Sequence, residues 1–224
     1  MAFKPMSIGE FKRNTGIADA LVPRKATVIS LRELAQVGRV EQVRIMPKED
    51  YLDKMLRRVR LANGGFQLYA QSEFSLERVS PFSFKVIQTF VHGRKIMEFL
   101  QEFNSVFDGS CASNGFAKKT PMIILGRHNK TGQVLLANYL PPIIELCSSG
   151  EAYLPDGMHR CFLANRVGTT VEAIVIKNVL APPRADLIDW NEVCLVDEKP
   201  PIDQRVRNNN PDLYRGWELV GIDG

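Results

Sequence analysis

The stretch Tyr153 to Val179, YLPDGMHRCFLANRVGTTVEAIVIKNV, places His159 and Arg160 directly after the turn dipeptide Asp156-Gly157 and at the start of a helix-forming run. Glycine reaches backbone angles that strain other residues, and aspartate both turns the chain and caps helices. The order therefore predicts a helix beginning near Met158 with Asp156 as its N-cap. A helix N-terminus carries unpaired N–H groups and about half a positive charge, which makes it an anion site. Arg160 in the first turn opposes that dipole, and such a conflict is expected where a side chain serves function rather than helix stability. The chemistry on offer at this junction, Gly157, Met158, His159 and Arg160, is the holding of an anion, which the Arg160 side chain would meet. The competing reading is a surface ion pair from Arg160 back to Asp156 or Glu151, worth ~0–1 kcal/mol.

Turnover of a phosphate would need more than cations. Phosphoryl transfer rests on positioning and charge stabilisation, with a carboxylate to hold a divalent metal and a group to orient the nucleophile. Asp156 in the turn and Glu145 on the preceding apolar run are the candidate catalytic and metal-binding carboxylates. Each has a plainer reading, Asp156 as an N-cap and Glu145 as a solvent-facing strand residue, and both readings stay open. Cys161 reads as a small buried apolar residue. The four cysteines, at 111, 147, 161 and 194, form no C-x-x-C pair and do not cluster with His92, His128 or His159, so neither a zinc site nor a disulfide framework is signalled.

The surrounding elements can be read from pattern. Gly168 stands just past the end of the helix, and Thr169 to Val179 is β-branched and largely apolar, as a buried strand would be. The unit is strand, tight turn, short helix, strand. This order, with Asp-Gly-x-His-Arg at its first junction, resembles the ParB/sulfiredoxin superfamily over about Pro141 to Val179. The resemblance implies a small mixed-sheet α/β domain that binds a nucleotide's phosphates at the helix N-terminus through His159 and Arg160. It implies a nucleoside triphosphate (ATP or CTP) with Mg²⁺ as the ligand, and either an NTPase or phosphotransferase or a DNA-binding or nuclease-like activity. A non-catalytic interaction module is the third reading. Sulfiredoxin chemistry needs a thiolate where this chain has Met158, a thioether, so that branch is not expected. On the phosphate reading, Arg160→Ala should weaken nucleotide binding and leave the fold intact.

The remaining sequence supplies the scaffold. Thr27 to Leu31 reads as a strand, with a helical piece around Leu34. Tyr51 to Leu61 reads as an amphipathic helix with Leu52, Met55, Leu56 and Val59 on one face, leaving Arg57, Arg58 and Arg60 for solvent or for DNA phosphates. Phe66 to Ala70 reads as a strand, and Arg94 to Phe103 as a helix. Asp108 to Ala117 reads as a loop, and Met122 to Leu125 with Val134 to Ala137 as a hairpin that carries His128 at its tip. The expected organisation is a basic N-terminal arm over 1–26, the domain over 27–180 with an insertion at about 72–140, and an acidic, proline-containing C-terminal extension over 181–224 that is extended and anchored by aromatics.

The net charge of +4 conceals an asymmetry: residues 1–60 hold 13 Lys/Arg against 7 Asp/Glu, and residues 181–224 hold 5 against 9. A basic segment of this kind meets nucleic acid, meets the acidic end, or stays solvated. No run approaches the ~18–20 apolar residues of a membrane span, and the start MAFKPMSIGEFKRN lacks a signal-peptide core. A cytoplasmic protein with no membrane partner is expected.

Overall fold

The computed structural model describes residues 4–107 and 120–221, so the loop expected at Asp108 to Ala117, with Cys111, lies outside the described residues. In chain order the first half contains β1 (Met6–Ser7), α1 (Ile8–Thr15), β2 (Thr27–Ile29), α2 (Leu31–Val37), β3 (Gly38–Ile45), β4 (Glu73–Val79), β5 (Lys85–Val86), β6 (Phe90–His92) and α3 (Gly93–Phe107). The second half contains β7 (Met122–His128), β8 (Val134–Tyr139), β9 (Ile143–Leu146), β10 (Ala152–Asp156), α4 (Met158–Arg166), β11 (Val171–Lys177) and β12 (Cys194–Val196). The protein is mixed α/β, with parallel and antiparallel pairings in the same sheets.

The chain divides into two compact units that interleave in sequence. One comprises Met1–Ala70, Thr120–Leu140 and Arg215–Gly224; the other comprises Gln71–Lys119 and Pro141–Tyr214. This corrects the expected organisation, because neither 26/27 nor 180/181 is a boundary between units. The expected N-terminal arm is built into the first unit. Ser7 caps α1 by accepting from Glu10 N, β1 pairs with β2, and Phe11 is fully buried. The expected extension is shared between both units. Its Trp217 is buried and lies 5.7 Å from the Tyr69 ring, an aromatic anchor as the composition suggested.

The first unit is a five-stranded sheet in the order β1-β2-β8-β7-β3. Its centre is apolar on both sides: Val28, Ile123, Ile124, Leu136 and Ala137 are fully buried, as expected of central strands with both faces covered. The expected helix over Tyr51 to Leu61 is instead a π-helical turn over Glu49–Met55 followed by a 3₁₀ turn over Leu56–Arg58. Leu52, Met55, Leu56 and Val59 are nonetheless all fully buried, so the apolar spacing marked the core face while leaving the helix type undetermined. The strand expected at Phe66 to Ala70 is a turn joined to Arg60 by a single bridge at Gln67. Leu68 and Tyr69 are buried in succession, which a half-exposed strand does not permit.

The second unit carries the five-stranded sheet β4-β11-β9-β10-β5 and a two-stranded ribbon, β12-β6. β11 runs parallel to β9, and α4 lies between β10 and β11 in the chain, as the strand, turn, helix, strand reading required. Gly168 adopts φ 67° just past α4 and Thr169 N donates to Ala164 O, so the glycine ends the helix as expected.

Candidate functional site

The β10–α4 junction is built around a glycine. Gly157, not Asp156, is the N-cap of α4, at φ 103° and ψ 14°, and no side chain caps the helix. This corrects the capping expectation: Asp156 still belongs to β10, where it pairs with Ile143, and it faces another partner. A β-carbon at Gly157 would stand 2.6 Å from Pro142 Cβ and 2.8 Å from its Cα, so the chain has room here for backbone alone.

Asp156 pairs with Arg160. Arg160 Nη2 donates to Asp156 Oδ2 at 2.6 Å, and both side chains are only 10% exposed. The ion pair expected on a surface is therefore a buried one, which ties the end of β10 to the first turn of α4 across an i,i+4 spacing. Arg160 is committed within the fold rather than extended toward solvent.

Glu145 is completely buried, which corrects its reading as a solvent-facing strand residue. It lies opposite Tyr153 in the β9–β10 register, and Tyr153 Oη donates to Glu145 Oε2 at 2.5 Å. A buried carboxylate must be hydrogen-bonded, and the cross-strand phenol meets that need where water does not reach. Tyr153 itself packs with Ile87, Ala185 and Val206.

His159 is half-buried, and its Nε2 accepts from the backbone N–H of His92 at 3.4 Å. His92 ends β6 and is followed at once by Gly93, the first residue of α3, so a second strand-to-helix junction abuts the first. The His92 ring donates from Nε2 to Asp197 O at 2.7 Å. Sequence reasoning missed His92 and Asp197. The signal available was the repetition of a glycine at a strand-to-helix junction, Gly93 matching Gly157.

Mg²⁺ does not fit these residues. Magnesium wants open carboxylate oxygens in octahedral geometry with several waters, whereas Asp156 is held by a guanidinium and Glu145 is sealed under a phenol. No group of three or more His, Cys, Asp or Glu among the described residues is placed to hold a metal ion.

The thiol next to the site is inert. Cys161 is fully buried, and burial, offset in part by Arg160, pushes its thiol up to about 12. Below the ordinary thiol range neither folded nor unfolded protein ionises it. As the pH rises from there toward 12, only the unfolded thiol loses its proton, so wild type should lose stability relative to Cys161→Ala by about 1.4 kcal/mol per pH unit. Parallel urea melts across alkaline pH measure that difference. In native protein at neutral pH a thiol reagent should modify the exposed Cys194 and leave Cys161 unmodified, as peptide mapping by mass spectrometry will read.

The residues assigned to DNA are placed in the first unit and serve its structure. Arg57 donates to Tyr69 O and Ala70 O and pairs with Asp53. Arg58 donates to Arg13 O at 2.8 Å, its guanidinium lying where a Gly16 side chain would be. Arg60 is exposed, but its backbone is bonded to Gln67 and Gly216. Arg57 and Arg58 thus hold backbone carbonyls of the first unit, while the Arg58 and Arg60 side chains remain exposed.

No helix among the described residues is long and apolar enough to cross a membrane. Compared with protein-family models, with curated proteins and with solved structures, the chain matches none.

Proposed function

We propose that the Gly157 junction binds the phosphates of a nucleotide, with ATP and CTP as the first candidates, and that it binds without metal-dependent turnover. The observation that carries this reading is a helix N-terminus whose N-cap is a left-handed glycine with no capping side chain, locked against Pro142. Backbone N–H groups presented this way complement a phosphate, and the dipole of α4 favours the negative charge. His159 on the first turn is the side chain best placed to join them, and the Asp156–Arg160 pair holds the turn in shape. The similarity of Pro141 to Val179 to the ParB/sulfiredoxin pattern points the same way. The commitment of Asp156 and Glu145 to internal partners is what favours binding over magnesium-assisted hydrolysis or phosphotransfer.

A thermal-shift series with ATP, ADP, CTP, GTP and pyrophosphate, each with and without Mg²⁺, tests the proposal. One of these ligands should raise the melting temperature without needing the metal, since saturation to 100 times Kd adds about 2.7 kcal/mol. His159→Ala, checked for native circular dichroism, should weaken that ligand by roughly 1.5–3 kcal/mol, the range for a hydrogen bond to a charged group. If no nucleotide or pyrophosphate shifts the transition at millimolar concentration, the reading is wrong.

A further inference from the structure

The hairpin end of the first unit's sheet holds an arrangement that the Gly157 site does not use. Strand β3 pairs antiparallel with β7, and in that register Arg39 stands directly opposite Arg127. Directly opposed like charges destabilise a sheet pair, their β-carbons lying about 4.5–5.5 Å apart. Both guanidiniums are well exposed, Arg39 at 77% and Arg127 at 51%. One carboxylate serves both: Glu41 accepts from Arg127 Nε at 3.0 Å and from Arg39 Nη2 at 3.5 Å. Glu41 stands where the register shifts between Val40 and Gln42, so a bulge brings it to this position.

Next to the pair is the β7–β8 turn, whose residues His128, Asn129, Lys130, Thr131, Gly132 and Gln133 are all polar or glycine. Lys130 is exposed there, while the His128 ring stays inside the turn, its Nδ1 accepting from Lys130 N and Thr131 N. Asn129 N donates to Val37 O, which fixes the turn to the end of α2. Arg127 Nη1 also donates to Gly132 O at 3.3 Å, so the cluster is two guanidiniums in fixed register plus one ammonium, against one shared carboxylate, at the sheet end. Arg44, the other cation of β3, is engaged elsewhere by Ala20 O and Leu21 O.

We infer that Arg39, Arg127 and Lys130 form a contact surface for the phosphodiester backbone of a nucleic acid, with Glu41 holding the two guanidiniums in place of phosphate until it binds. Guanidinium forks match phosphate oxygens in geometry, which a diffuse anionic surface does not require. A membrane surface would favour apolar or aromatic side chains beside the cations, and the turn supplies none. Contacts confined to phosphate read no base sequence, so the surface is sequence-independent.

The test is fluorescence anisotropy with labelled 20-nucleotide single-stranded and duplex DNA over a salt series. Binding should fall with salt at a log–log slope of about −2 to −3 for three contacts. Arg39→Ala/Arg127→Ala/Lys130→Ala should abolish most of that slope and weaken low-salt binding by about tenfold or more. Glu41→Gln should tighten binding, because it removes the internal competitor for both arginines. A control, Lys48→Ala/Lys199→Ala, removes exposed cations elsewhere and should change little. The inference is overturned by absence of salt-dependent binding to either DNA, by equal loss in the control, by weaker binding in Glu41→Gln, or by tighter binding to phosphatidylserine vesicles than to DNA.

Discussion

Arg160→Ala is expected to cost ~3–5 kcal/mol of stability, because it leaves the Asp156 carboxylate buried without its cation. Against a total of about 5–15 kcal/mol for a typical domain, that loss brings the second unit close to unfolding at room temperature. The sequence alone led to the opposite expectation, a variant with an intact fold and weakened ligand binding. The pair itself need not be a strong net stabiliser, since desolvation consumes much of the Coulomb attraction. Asp156→Leu/Arg160→Met should therefore recover most of the loss, and urea melts of the single and double variants measure the coupling. A single-variant cost below about 1 kcal/mol would mean that solvent screens the pair as it screens surface bridges.

The second large effect is expected at Gly157. An L-residue at φ 103° carries backbone strain of about 1–3 kcal/mol, and its β-carbon would press on Pro142 at 2.6 Å. Displacing packed backbone adds about 1–3 kcal/mol. Gly157→Ala should thus lose roughly 2–6 kcal/mol in sum. Asparagine tolerates left-handed angles better than alanine but brings the same β-carbon. Gly157→Asn separates the causes: a stability close to that of Gly157→Ala assigns the cost to the contact with Pro142, while near-complete recovery assigns it to the backbone angle. Denaturant melts suffice, and a wild-type-like midpoint for Gly157→Ala would contradict the close approach altogether.

What the sequence revealed and what it hid follow a physical division. Local signals survived: Gly157 and Gly168 bracket α4 because each occupies a left-handed angle that a neighbouring side chain could not adopt cheaply. The apolar spacing of Leu52, Met55, Leu56 and Val59 correctly marked a buried face, since burial selects the side chains whatever the hydrogen-bond period beneath them. Partner choice across the sheet was hidden. Glu145 inside Ile-Ile-Glu-Leu looks like the polar member of a half-exposed strand until the register sets it against Tyr153, and that register includes a shift between Tyr153 and Asp156. Arg160 and Asp156 were visible as an i,i+4 pair, but their burial depends on everything packed around them. The contact of His92 with His159 spans 67 residues, beyond the reach of any periodicity. The division into two units left no trace in composition, because the chain crosses between them within ordered segments such as Leu140-Pro141.

That interleaving sets an order of completion on the ribosome. The first unit opens with Met1–Ala70 but needs Thr120–Leu140 for two central strands and the segment from Arg215 onward for Trp217 and Val220, both buried. The second unit has all of its parts once Tyr214 has emerged. The half of the protein begun first is therefore finished last. Early in that interval its nascent sheet has β2 and β3 made and waits for the strands that join them, β7 and β8. Because such long-range pairings close slowly, the emerging chain carries exposed apolar strand for much of its synthesis, the interval in which chaperones act.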